Sequence, residues 1–160
     1  METLEPILAK HPFFEELDAR YLQLMVGCAS NVRFDAGEFI FKEGSDADHF
    51  YLIREGKVTV DLPAGRHAPV TIEALTAGDV LGWSWLVPPY RWRFNAHAVE
   101  PTRAIAMDGK CLRKKAEEDH DLGYELLRRV VQITAGRLHS TRLQLLEIYH
   151  AWSDLVDGRS

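Results

Sequence analysis

Phe34-Asp35-Ala36-Gly37-Glu38-Phe39-Ile40-Phe41-Lys42-Glu43-Gly44-Ser45-Asp46-Ala47-Asp48-His49-Phe50-Tyr51-Leu52-Ile53-Arg54-Glu55-Gly56-Lys57-Val58-Thr59-Val60 is the stretch on which the fold turns. Gly37, Gly44 and Gly56 punctuate it where tight turns need a positive φ or no Cβ. Between them lie short β-type runs: Phe39 and Phe41, then Phe50 to Ile53, then Val58 to Val60. The same texture continues outward. Val32 lies upstream, and Val70-Thr71-Ile72, Phe94, Ala96, Ala98 and Ala104-Ile105-Ala106 follow downstream. Pro63-Ala64-Gly65 and Ala77-Gly78-Asp79 supply further turns. Short strands at even spacing, parted by glycine turns, predict an antiparallel barrel or roll over residues 31–107.

The flanks read as helix. On the N-terminal side, residues 1–30, Leu4, Ile7 and Leu8 form one apolar cluster. Pro12 interrupts it. Phe14, Leu17, Tyr21, Leu22, Leu24 and Met25 resume at helical spacing, with Asp18 as N-cap. Residues 108–160 are helical again. Asp108 or Gly109 starts a short helix, and Asp121 caps a long one. Leu127, Val130, Val131, Thr134, Leu138 and Leu145 step along the long helix by threes and fours, continuing to Val156. A helix of ~30 residues is ~45 Å long. Its outer part must stay exposed or pack on another chain, and these six residues form the expected homodimer face.

The chain has 160 residues, 46% hydrophobic and 27% charged, which suits one soluble domain over residues 1–160. A net charge of −5 gives no support for a nucleic-acid surface. No stretch approaches the ~18 apolar residues of a membrane span. The N-terminus lacks a signal-peptide pattern, so a cytoplasmic protein is expected. The two cysteines, Cys28 and Cys111, match no metal spacing and are expected as separate reduced thiols. The seven histidines form no metal motif, and His97 reads as a solvated or satisfied side chain. Ser84 has no evident base, and no nucleophile elbow, Walker loop or kinase set is present, so no enzyme is expected. Arg128, Arg129, Arg137 and Arg142 read as a polar helix face able to pair with acids of a partner helix.

The order of glycines and apolar runs in residues 34–60 resembles the cyclic-nucleotide-binding domain family, including the Crp/Fnr regulators, and the resemblance spans about residues 13–150. It implies a fold that is mainly β with flanking helices: a double-stranded β-helix, jelly-roll-like, ending in a long helix. It also implies a phosphate-binding cassette. In the family a Gly-Glu-Leu run leads into a short helix and then an Arg-Ser/Thr-Ala strand. Helix amides and the Arg hold the cyclic phosphate, and the Glu takes a ribose hydroxyl.

The matching segment here is residues 78–98. Its expected ligand-binding residues are Gly78, Asp79, Val80, Leu81, Gly82, Trp83, Ser84, Trp85, Tyr90, Arg91, Trp92 and Arg93. Asp79 stands for the Glu, one methylene shorter. Counted back from Ala98-Val99-Glu100, Trp92 falls on the Arg position, Arg93 on the Ser/Thr position and Phe94 on the small Ala. Strand alternation puts Trp92, Phe94, Ala96 and Ala98 on one face and Arg93, Asn95 and His97 on the other. The aromatic cluster of Trp83, Trp85, Tyr90 and Trp92 is either a stacking wall for a planar ligand or a plug in the pocket. The ligand of the first reading is a cyclic nucleotide or other small anion. The second leaves a ligand-free module for protein contacts. A third expectation is a Crp/Fnr-type regulator that lacks its DNA-reading part, and therefore has no direct nucleic-acid partner.

Overall fold

The computed structural model describes residues 4–158. The first and last positions of the expected helical flanks, residues 1–3 and 159–160, lie outside the described residues. The chain divides into two compact units, one ending at Leu126 and one starting at Leu127.

The first unit opens with helix α1 (Glu5–Lys10) and a single 3-10 turn at Pro12–Phe14. Proline fits that turn's first position, where no N–H is needed. Helix α2 (Ala19–Val26) follows, capped by the Asp18 carboxylate, which accepts from the Arg20 N–H at 2.9 Å. Eight strands come next: β1 (Ala29–Phe34), β2 (Phe39–Phe41), β3 (His49–Glu55), β4 (Lys57–Ala64), β5 (His67–Thr76), β6 (Val80–Leu81), β7 (Asn95–Ala98) and β8 (Thr102–Asp108). They form two four-stranded sheets, β1-β8-β3-β6 and β2-β7-β4-β5, in which every pair is antiparallel. This is the expected β-roll.

Gly56 shows why one turn must be glycine. Its φ is +104°, and an added Cβ would lie 2.6 Å from the Pro101 carbonyl oxygen. Apolar residues of both sheets meet between them: Ile53 and Leu81 from one, Phe41, Val58, Val60, Leu75 and Ala96 from the other. Helix α3 (Gly109–Glu118) follows β8, and the Asp108 carboxylate accepts from the Cys111 N–H at 3.0 Å. Helix α4 runs from His120 to Asp157, 38 residues. Its cap is Asp119, whose carboxylate accepts from the N–H groups of Asp121 and Leu122. The expected cap, Asp121, sits inside the first turn instead. Leu122 and Leu126 bury the start of α4 in the first unit.

The cysteines correct an expectation. Cys28 and Cys111 are joined as a disulfide, with Cα atoms 5.8 Å apart. They are 83 residues apart in sequence. The fold brings them together because β1 pairs with β8, which delivers the first turn of α3 beside the start of β1.

The second unit is the rest of α4. Leu127, Val131, Leu138, Leu145, Ile148, Tyr149, Trp152, Leu155 and Val156 are all exposed. Among the described residues no helix is long and apolar enough to cross a membrane.

Candidate functional site

The cassette starts at the turn between β5 and β6. Gly78 takes φ +93°, and its N–H donates to the Ile53 carbonyl at 2.9 Å. The Asp79 carboxylate accepts from the Thr76 N–H at 2.9 Å. One oxygen of that carboxylate thereby closes the turn. Gly78 lines a cleft of about 310 Å³ with Ile7, Lys10, His11, Pro12, Ile53 and Arg54. Val80 and Leu81 are buried in β6, paired to Leu52 and Tyr51.

Gly82 has φ +95°, and a Cβ there would meet Cη2 of Trp92 at 2.5 Å. The Cη2–Cζ3 edge of the Trp92 indole therefore abuts Gly82. One face of that indole stacks on Phe41, with centroids 3.7 Å apart and planes 5° from parallel. Trp92 is 4% exposed.

After Gly82 the chain makes one 3-10 turn, Ser84–Leu86, where the family has a short helix. Its backbone bonds are Leu86 N–H to Trp83 and Val87 N–H to Ser84. Those two bonds employ no amide of Gly82, Trp83, Ser84 or Trp85. Trp85 is fully buried and stacks on Phe50 at 4.9 Å. Its indole N–H and the buried Ser84 hydroxyl have no hydrogen-bond partner. Trp83 is half-buried.

Pro88-Pro89 is a cis peptide, and Tyr90 follows with φ +58°. The residues after it lie against the loop 44–47: Ala47 N–H donates to Tyr90, Trp92 N–H to Ser45, and Gly44 N–H to Trp92. Arg91 is exposed. Its guanidinium donates to the Gly44 carbonyl at 2.9 Å and lies 3.8 Å from the Asp46 carboxylate. Arg93 is exposed as well. Trp92, Ala96 and Ala98 are buried, and Phe94 packs on the same core. The alternation expected from sequence holds, and it keeps Arg93 off the inner face.

Two neighbours of the cassette were not legible in the sequence. Arg113 of α3 donates to the Trp85 carbonyl and lies 4.2 Å from the Tyr90 ring centroid. Phe41 is the other, as the stacking partner of Trp92. Neither lies in the cassette segment, and no local pattern points to either.

His97 belongs to the outward face of the second sheet. Its ring lies 3.0 Å from the Asp61 carboxylate, which also accepts from the Thr71 hydroxyl at 2.6 Å. It is the satisfied histidine expected. Among the described residues no group of three or more His, Cys, Asp and Glu could hold a metal ion.

The family model described as cyclic nucleotide-binding domain matches residues 31–119. Among curated proteins, the chain is similar to the CRP-like cAMP-activated global transcriptional regulator of Mycobacterium tuberculosis, at 26% identity over 147 residues. That match covers 91% of this chain and 63% of the regulator, so the chain spans less than two thirds of that relative. Among solved structures, a Geobacter metallireducens GS-15 protein described as cyclic nucleotide-binding superposes with a TM-score of 0.77 at 29% identity. The match covers 87% of this chain and 100% of that one. A cyclic nucleotide-binding domain from Methylobacillus flagellatus gives 0.76 at 19% identity, covering 91% of this chain and 82% of that one. The regulatory domain of Toxoplasma gondii PKA, crystallised with cAMP, gives 0.63 at 19%, covering 69% and 42%. The last two, at such identity, establish a shared fold alone.

Proposed function

Because the chain belongs to the cyclic nucleotide-binding domain family, we propose that it is a non-catalytic regulatory module whose cassette is closed by its own tryptophan and whose output is self-association through α4. The observation that carries this reading is the buried Trp92 indole, its edge against Gly82 and its face on Phe41, at the position that the family resemblance assigns to the phosphate-binding Arg. No guanidinium of the cassette compensates, since Arg91 and Arg93 are both exposed. Losing the family's Glu and Arg contacts costs about 3–6 kcal/mol, or roughly 10²–10⁴ in affinity.

The output rests on the exposed face of α4. Leu127, Val131, Thr134, Leu138, Thr141, Leu145, Ile148, Trp152 and Leu155 follow alternating steps of four and three. That 3.5-residue repeat is the pattern of a left-handed two-stranded coiled coil. Thr134 and Thr141 donate to the Val130 and Arg137 carbonyls of their own helix, so their hydroxyls enter a seam already satisfied. The occupant that fits is α4 of a second copy. Light scattering tests this: the expected mass is twice the 18.2 kDa of one chain. A monomer at tens of micromolar sinks the output.

A second reading keeps a ligand at the cassette. The buried Ser84 hydroxyl and Trp85 indole N–H, both without a hydrogen-bond partner, favour it. A ligand there must displace Trp92. Calorimetry with cAMP and cGMP separates the two readings. Silence supports the closed cassette, and micromolar binding overturns it.

A further inference from the structure

The disulfide joins two parts of the fold that α3 also bridges by other means. One face of α3 meets the region around α2 and β1. There Cys111 is bonded to Cys28, and the Lys115 ammonium donates to the Leu24 carbonyl at 2.5 Å. In addition, Asp108 N–H donates to the Cys28 carbonyl at 2.8 Å. The neighbouring face meets the cassette. There Arg113 holds the Trp85 carbonyl and covers Tyr90, and a Cβ on Gly109 would lie 2.9 Å from the Trp85 Cβ. A change in the anchorage of the first face is therefore felt at the second, within ten residues of rigid helix.

We propose that Cys28 and Cys111 form a thiol–disulfide exchange site, with a low-molecular-weight thiol or disulfide of the glutathione type as co-substrate, and that its redox state sets how firmly α3 holds the cassette. The two sulfurs differ in access. Cys28 is 6% exposed, whereas Cys111 is half-buried. An incoming thiolate therefore attacks the Cys111 sulfur. A mixed disulfide forms on Cys111 and the Cys28 thiolate leaves. The Lys115 ammonium lies against the adjacent residue, 2.9 Å from where a Gly27 Cβ would be, and it favours that thiolate. A second thiolate attacks the outer sulfur of the mixed disulfide and releases Cys111. In sum, two external thiols give up two electrons and two protons, two protein thiols form, and one external disulfide departs. Oxidation is the same sequence reversed. The inference does not depend on what, if anything, the cassette binds.

The experiment uses the full chain, equilibrated with either reduced or oxidised glutathione. Alkylation read by intact mass counts the free thiols, and hydrogen exchange reads the amides of residues 82–92. The expected result is two free thiols in the reduced sample and none in the oxidised one. Cassette amides should exchange several-fold faster when the bond is open, while β3 and β8 stay protected. The double variant Cys28→Ser/Cys111→Ser should match the reduced protein in both buffers. Arg113→Lys should speed cassette exchange in the oxidised protein and remove most of the difference on reduction. Two free thiols persisting in excess oxidised glutathione would falsify the exchange site. Equal cassette exchange in both states, or loss of protection throughout the roll on reduction, overturns the control of the cassette. The last outcome would make the bond a structural staple.

Discussion

A Cβ on Gly82 would lie 2.5 Å from Cη2 and 2.7 Å from Cζ3 of Trp92. Gly37 offers the comparison that separates backbone strain from crowding. It too has a positive φ, +86°, but an added Cβ there meets nothing within 4 Å. Gly37→Ala should therefore cost about 1 kcal/mol, the strain of a left-handed L-residue alone. Gly82→Ala adds a collision with the edge of an indole whose face is held on Phe41, and should cost about 3 kcal/mol or more. Urea unfolding of both variants measures the difference, and equal losses would mean that Trp92 does not rest on Gly82. At this scale strand alternation was enough to place Trp92 inside and Arg93 outside. It could not say what Trp92 touches, because Phe41 is 51 positions away in sequence and comes beside it through the pairing of β2 with β7. The disulfide was hidden for the same reason. Pairing of Cys28 with Cys111 follows from the β1–β8 register, which no local pattern states.

Among the elements, α4 carries the clearest consequence. Two stacked α4 helices would bury Leu138 and Leu145 in the seam, where both side chains are at least half exposed in the single chain. Leu138→Glu with Leu145→Glu places four carboxylates along that seam. The cost is about 3 kcal/mol, so the dimer should weaken roughly 10²-fold. Sedimentation velocity across a concentration series reads this directly. An unmoved association constant would place the contact elsewhere. The variant's roll should keep its circular dichroism, since neither residue lies in the first unit. Helix starts were readable where one short acidic side chain alone preceded an apolar period, as at Asp18 and Asp108. At α4 the same rule misplaced the cap by two residues. Asp119 and Asp121 both satisfy it, and only the observed bonds from Asp119 decide between them. The cassette's helix shrank to one turn. Its Trp85 is drawn into the core against Phe50, and Pro88 and Pro89 lack the amides to extend it.

The stability of the whole molecule registers one buried base. His11 sits between α1 and the first 3-10 turn and is 7% exposed. Its Nδ1 accepts from the Phe13 N–H at 3.2 Å, which requires that nitrogen to be unprotonated. Burial pulls its pKa below the ordinary histidine value, and the nearby Ile53 and Asp79 backbone and the Asp79 carboxylate oppose that only in part. In the unfolded chain the imidazole titrates near its usual ~6.5. Just below that pH the unfolded state binds a proton that the folded state refuses. Stability from His11 is thus fully present above pH ~6.5 and is lost as pH falls toward the lowered folded value, at no more than about 1.4 kcal/mol per pH unit. His11→Asn keeps an acceptor for the Phe13 N–H and removes the titration. Urea unfolding of both proteins at pH 7.5 and 5.5 should show the wild type losing more stability on acidification than the variant. Parallel losses would assign the acid sensitivity to other groups. A steeper loss in the variant would mean that protonated His11 finds a partner in the fold and stabilises it.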